Sequence, residues 1–319
     1  MSAMKVVTLL IILASAGLVH AQPATTQPVA VEPLIALAPK LSLGDPQAKS
    51  LDVQMVLSAG ATRLQIRALY EAPDRHAMYV CDARDGTPIG VVNDSIAIFY
   101  DPVDGALRVA DGKTGELRCQ QVEDKLNLKF GFNKPEQAWA LDVDLVSVLK
   151  AERADAIELG HGLMGLRQRG RKGGILYCVI DPRSPNPYLR AELQAPDGAQ
   201  AIVLDPILRD APIDPMAFEL PDREALAKTF TVKELDSKNI FGGLGGMQAL
   251  TRLIMLRVAA GDPEEEKKLE KSLATRVDWK VVRENDQKLG PKVRALFPFA
   301  TAQPRGLPAT SPSSAPATR

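Results

Sequence analysis

An exported α+β protein is the class this sequence predicts, and three observations predict it. Residues 51 to 131 hold short runs of alternating apolar and polar residues, each closed by a turn dipeptide. Beyond Pro221 the pattern changes to helical spacing with helix caps. The N-terminus reads as an export signal: Lys5, an apolar run from Val6 to Val19, then Val19-His20-Ala21, which fits the small-x-small rule for cleavage between Ala21 and Gln22. That run falls short of the roughly 20 apolar residues that span a bilayer, so cleavage is expected in preference to anchoring. The residue directly after the cleavage site is Gln22, not cysteine, which argues against a lipid anchor, and no later segment is apolar enough to cross a membrane.

Composition narrows the partners. The chain carries 39 Lys and Arg against 39 Asp and Glu, a balance that disfavours nucleic acid. Aromatics are only 5% of it, so the core must come chiefly from Leu, Val, Ile, Ala and Met. Residues 22–32 and 301–319 are rich in Pro, Ala, Thr and Ser and predict a flexible linker and a disordered tail. Between them a strand-rich domain is expected over 33–221 and a helical extension over 222–300.

In the strand-rich part, Leu64, Ile66, Ala68 and Tyr70 alternate with Arg63, Gln65, Arg67 and Leu69, the period of a half-buried strand. Turn signals recur about every ten residues: Ala72-Pro73-Asp74, Arg84-Asp85-Gly86, Asn93-Asp94-Ser95, Val103-Asp104-Gly105, Asp111-Gly112 and Glu123-Asp124. This pace predicts an antiparallel meander. A second set of strands is expected through Ile175–Ile180, Tyr188–Leu193 and Ala201–Leu204. Trp139 to Lys150 carries both periods, and a helix is expected for its C-terminal half.

The C-terminal part has clear punctuation. Met247, Leu250, Leu253, Ile254 and Val258 mark a helix stopping at Gly261, and Asp262, Pro263 and Glu265 cap the next. Glu264 and Lys268 are spaced for an i,i+4 pair, and Leu269 with Leu273 forms a narrow stripe suited to docking a protein partner.

Catalytic chemistry has little to work with. His76 and His161 are the histidines left after cleavage; neither has a metal-ligand residue at i+2 to i+4, and each is expected to be a solvent-exposed turn residue. The sequence holds no GxSxG, HExxH, SxxK or P-loop. The acidic pairs Asp142 with Asp144 and Asp101 with Asp104 are expected on solvated strands and turns, and Gly242-Gly243-Leu244-Gly245-Gly246 as a joint before a helix. Cys81, Cys119 and Cys178 allow one disulfide and a free thiol, or three small buried apolar residues; no CxxC spacing exists. No enzyme activity, cofactor or metal is expected. The basic run Arg167-Gln168-Arg169-Gly170-Arg171-Lys172, followed by Gly173-Gly174, predicts a hairpin tip whose Arg167, Arg169, Arg171 and Lys172 are candidates for contact with an anionic partner.

Ala68-Leu69-Tyr70-Glu71-Ala72-Pro73-Asp74-Arg75, the hairpins at Asn93-Asp94 and Phe99-Tyr100-Asp101, and the closing Phe218-Glu219-Leu220-Pro221 resemble the outer-membrane lipoprotein carrier (LolA-like) superfamily over about residues 50–221. The resemblance implies an antiparallel open half-barrel closed by helices, with a concave apolar face that holds acyl chains. Two features depart from it: Pro33, Pro39 and Pro46 leave room for only a short opening helix, and residues 222–298 have no counterpart. On this reading the ligand is an acyl lipid or lipoprotein. Burying about 14 carbons yields on the order of 10 kcal/mol before association costs. The strand residues expected to line the cradle are Met55, Leu57, Leu64, Ile66, Tyr70, Tyr79, Ile98, Leu128 and Tyr177. The competing expectation is a structural or interaction protein whose own helices fill the cradle.

Overall fold

The structure is a computed structural model that describes residues 30–42, 47–59, 62–73, 75–93, 95–111, 117–122, 125–130, 142–151, 153–170, 173–195, 200–235, 244–273 and 276–301. The expected signal sequence, most of the linker, the tail and Trp139 lie outside them. A short helix α1 (Glu32–Ala36) and strand β1 (Lys40–Ser42) come first. A meander follows: β2 (Ser50–Ala59), β3 (Thr62–Glu71), β4 (Arg75–Asp82), β5 (Pro88–Asn93), β6 (Ile96–Asp101) and β7 (Ala106–Asp111). Next come the hairpin β8 (Leu117–Val122) and β9 (Lys125–Phe130), strand β10 (Asp142–Asp144) and helix α2 (Leu145–Ala151). A second meander runs β11 (Ala154–Gly160), β12 (Leu163–Arg169), β13 (Ile175–Ile180), β14 (Tyr188–Gln194) and β15 (Gln200–Arg209). After a 3-10 turn (Pro215–Phe218) come α3 (Arg223–Ala227), β16 (Thr231–Glu234), α4 (Leu244–Ala259), α5 (Pro263–Leu273) and α6 (Trp279–Leu296).

Both meanders belong to one sheet of twelve strands, ordered β11-β12-β13-β14-β15-β2-β3-β4-β5-β6-β7-β16. All its pairings are antiparallel except β16 on β7. The join is the β15–β2 ladder, in register from Gln200↔Ala59 to Leu204↔Met55 and, past a bulge, from Ile207↔Val53 to Arg209↔Leu51. Pro206 falls inside that bulge, where a residue without an N–H costs no ladder bond. β1 pairs with β10, and β8 with β9, in two small separate sheets.

The turns form by the local chemistry their residues allow. Asp101 Oδ1 accepts from the amides of Val103 and Asp104, Asn93 Oδ1 from Ser95 and Ile96, Asp85 Oδ1 from Thr87, and Asp181 Oδ1 from Arg183. Gly86 and Gly105 take the positive φ that completes two of them. At the basic run the Gly170 amide bonds Gly174 and the Gly173 amide bonds Gly170, a tight hairpin tip.

Side chains alternate across the sheet, so register assigns each to one of two faces. On the front face Leu176, Leu193, Ile202, Leu57 and Leu64 stand in one row across five strands. The next row is Cys178, Ala191, Leu204, Met55, Ile66 and Val80. Leu34, Ile35 and Ala38 around α1, and Leu145 and Leu149 of α2, pack on these rows. Two polar side chains fix that cover: Tyr188 Oη donates to the Leu34 carbonyl at 2.9 Å, and Gln168 Nε2 to the Val148 carbonyl at 2.7 Å. Gln168 is thus buried inside a run expected to be solvated.

The back face of β3–β7 carries Leu69, Ala77, Tyr79, Cys81, Val91, Ile98, Tyr100, Leu107 and Val109. Ile213, Ala217, Phe218, Leu226, Phe230, Val293 and Phe297 from the chain beyond β15 cover it. Covered on both faces, β5 and β6 are buried throughout. Polar ties hold this cover as well: Tyr79 Oη donates to the Ala217 carbonyl at 2.6 Å, and Asn93 Nδ2 to that of Phe218 at 2.9 Å.

Three local expectations are corrected. His76 is buried, not in a solvent-exposed turn, because β4 begins one residue earlier and sets it opposite Tyr70 inside the sheet. Asp101 is likewise buried, its charge met by Arg108 Nε at 2.7 Å and by two turn amides. Lys268 pairs with Glu265 at 2.7 Å, one turn position nearer than Glu264. Asp262 does cap α5, accepting from the amides of Glu264 and Glu265, and Gly261 does end α4's turn with φ 91°.

One back-face pair ties the C-terminal segment to the sheet. Arg67 forms a two-pronged bond to Asp52, at 3.0 and 2.7 Å, and its remaining nitrogen donates to the Phe299 carbonyl at 2.7 Å. Both side chains are about nine-tenths buried, at 11% exposure each. Arg67→Met strands the Asp52 carboxylate and is expected to cost about 3 kcal/mol. The paired replacement with Asp52→Leu should cost less than the two single changes added, as read by urea unfolding.

Candidate functional site: an apolar face and a buried ion cluster

The residues expected to line a cradle divide between the two faces. Met55, Leu57, Leu64, Ile66 and Tyr70 share the front face. Tyr79 and Ile98 share the back face, in register with Arg67 and Val91. Tyr177 also points to the back, in line with Glu192, Val203 and Val56. Leu128 lies in β9, and its side chain is outside the described residues, as is that of Cys119 in β8. No single surface gathers the set. Met55, Tyr70, Tyr79 and Ile98 are fully buried in packed clusters, whereas Leu57 and Ile66 are only partly so. Tyr79 is additionally held by its bond to Ala217, and burial pushes its phenol up to about 12.

The front rows have a half-covered rim. Leu57, Ile66, Val146, Val148, Met164 and Leu193 pack against the buried cluster while keeping part of their surface in solvent. At the Leu64 end of the five-residue row, Ile254 and Val258 of α4 rest on Leu57, Leu64 and Ile89. Sequence periodicity had marked the apolar side of α4 but carried no sign of where it lands.

Beside that contact lies a feature the sequence reading missed. Asp82, at the end of β4, is fully buried and held by Arg84 Nη2 at 2.6 Å and by Arg257 Nη1 at 3.3 Å. Arg257, on α4 and 8% exposed, also reaches Asp85 at 2.8 Å and Asp286 of α6 at 3.3 Å. Arg294 of α6 bonds Asp85 at 3.0 Å and Thr87 Oγ1 at 2.7 Å. Arg84 closes the cluster by donating to the carbonyls of Arg257 and Ala260. Three arginines meet three aspartates, from the β4–β5 turn and two helices far along the chain.

The acids in this cluster are not equivalent. Burial pulls Asp85 upward, but the Thr87 amide, Arg257 and Arg294 outweigh it and hold its carboxyl below the ordinary range. Burial dominates at Asp286, raising it to about 6 against the opposing pull of Arg257, the Tyr100 hydroxyl and Arg84. Tyr100 is itself pushed up, first by burial and then by the Asp286 charge.

The basic run divides too. Arg167 and Arg169 belong to β12, Arg167 half-buried and Arg169 exposed; Arg171 and Lys172 lie outside the described residues. His161 sits exposed at the β11–β12 turn with φ 52°. Among the described residues no group of three or more His, Cys, Asp or Glu is placed to hold a metal ion, and no helix is long and apolar enough to cross a membrane.

No family model matches the chain, and no curated protein matches it. Among solved structures it resembles the crystal structure of a DUF1329 family protein from Desulfovibrio piger. Identity is 11% and the TM-score 0.20, with 56% of this chain and 92% of that one covered. A likeness that distant carries no argument about fold or activity.

Cys81 and Cys178 are free, buried thiols, and each is pushed up to about 12, chiefly by burial. A thiol so protonated is a poor nucleophile. Iodoacetamide at pH 8 is expected to leave both unmodified in the folded protein and to modify both in guanidinium, as read by peptide mass spectrometry.

Proposed function

We propose that this is an exported cell-envelope protein that binds a lipid or a lipidated partner non-covalently on the front face of its sheet. The observation that carries the reading is the row Leu176–Leu193–Ile202–Leu57–Leu64, five branched apolar side chains in register across five strands. Four inter-strand steps of about 4.8 Å span roughly 19 Å, enough for a long acyl chain to lie across. Recognition of this kind needs shape and apolar area, not a tuned nucleophile; Leu57 and Leu193 of the row keep part of their surface in solvent while Leu64, Leu176 and Ile202 are buried, so an acyl chain would enter at the rim and displace part of the cover. The LolA-like layout of the sequence and the expected export signal support the same reading.

A second reading rests on α4. Ile254 and Val258 already occupy the Leu57–Leu64 end, and α1 with α2 covers much of the remainder, so the protein's own helices serve as the occupant and the outer helix faces serve a protein partner.

Native mass spectrometry of gently purified protein, with melting curves in palmitate and lysophosphatidylglycerol, separates the two. Binding predicts a co-purifying acyl mass or a rise of several degrees that Leu193→Glu abolishes. A clean apo mass with no thermal shift in either lipid would sink the lipid reading and leave the self-filled one.

A further inference from the structure

We propose that Asp286 is a proton-controlled latch: α4 and α6 dock tightly on the β4–β5 turn when Asp286 carries a proton, and their docking loosens when it ionises. The latch stands apart from the lipid reading, because it concerns how the C-terminal helices hold the sheet, whatever the front face binds.

Geometry singles out this acid. Asp286 projects from α6 with 12% of its side chain exposed. Facing it are Arg257 from α4, Tyr100 from β6, and Arg84 and Asp85 from the turn. Its ion-pair partner among the described residues is Arg257 Nη1, at 3.3 Å, and that same nitrogen serves Asp82 at 3.3 Å. Asp82 has Arg84 besides, with both carboxylate oxygens bonded; Asp85 has Arg294 and the Thr87 amide besides. Asp286 is therefore the least compensated of three carboxylates competing for one buried guanidinium. Like charges that close cannot all be ionised without cost, and the proton goes to the acid held most weakly. Asp286 Oδ1 and the nearby Tyr100 Oη are both buried without a hydrogen-bond partner among the described residues.

The direction of the pH effect follows from linkage. Docked, Asp286 titrates near 6; undocked and hydrated, it returns to its ordinary 3.8. A raised value in the docked state means that docking is fully favoured below about pH 4 and loses strength as pH climbs through 6. The difference of about two units corresponds to roughly a hundredfold change in the docking equilibrium. Asp85, held low, titrates below this window. The neighbouring Asp101 is engaged by Arg108. Release would lift Ile254 and Val258 from Leu57, Leu64 and Ile89, so the end of the apolar row is covered in acid and uncovered more often at neutral pH.

Amide hydrogen exchange of the full chain, corrected for intrinsic rates, reads the docking equilibrium directly. In the native protein the protection of residues 244–259 and 279–296 is expected to be at least tenfold greater at pH 5 than at pH 8. In Asp286→Asn, which cannot ionise, it should be equal at both. Equal protection in the native protein, or an undiminished pH difference in the variant, overturns the latch. Should Asp286→Asn fail to fold, carbon-13 titration of the native Asp286 carboxyl decides instead: a midpoint near 6 supports the latch and one at or below 4 overturns it.

Discussion

The architecture depends on the β2–β15 ladder. Each meander pairs its own neighbours through short connections, but only this ladder, between residues 141 to 158 positions apart in sequence, makes the two one sheet. Its register decides which apolar residues meet. With Leu57 opposite Ile202 and Met55 opposite Leu204, the front rows of both meanders run on without interruption. A slip of one residue would turn Met55 and Leu57 to the back and Val56 to the front, breaking both rows at their middle. The bulge at Leu204/Ile207 restores the alignment beyond Pro206, so that Ile207 and Val53 still meet and both belong to the front cluster.

A sheet joined in this way has two apolar faces to cover, and the chain covers them from different places. The front of β11–β15 and β2–β3 is closed by α1 and α2, which lie before the first meander and between the two. The back of β3–β7 is closed by the chain that follows β15, including α3 and α6. Opposite coverings explain the divided fate of the strand residues. Tyr79 and Ile98 are core of the back layer, and Met55 and Tyr70 are core of the front layer. Along the rim of the front layer, at Leu57, Ile66 and Leu193 among others, apolar surface remains partly in water.

What could be read from the sequence was local. Asp85, Asn93, Asp101 and Asp181 announce their turns because each side chain bonds an amide two or three residues on, a contact that the sequence itself contains. Gly261 and Asp262 announce the α4–α5 junction for the same reason. The single short helix allowed by Pro33 is α1, and the helical half of the ambiguous Trp139–Lys150 segment falls in α2. Alternation fixes the two sides of one strand but not which side of its neighbour faces the same way, so the division of Met55 from Tyr79 was hidden. His76 was hidden by a boundary: one residue decides whether it ends a turn or opens a buried strand. The parallel addition of β16 to β7 and the meeting of Arg257 with Asp82 depend on chain folding over more than a hundred residues, and no spacing rule reaches that far.

Why the chain gathers six charges at this joint, with Asp82 and Arg257 among them buried and Asp286 nearly so, is a physical question in its own right. A buried ion cluster is poor evidence of stability, because removing arginine and aspartate from water costs about as much as their attraction returns. Apolar packing holds α4 to α5 and α6 through Leu256, Ala259 and Ala260, and to the sheet through Ile254 and Val258 on Leu57, Leu64 and Ile89, but it is non-directional. Directional bonds supply what packing lacks. Arg257 can reach Asp82, Asp85 and Asp286 together only at one rotation and height of α4, and Arg84 reads the same position through the carbonyls of Arg257 and Ala260. The cluster therefore acts chiefly as a register mark for the C-terminal helices. Its weakest member, Asp286, is where that mark answers to solvent conditions.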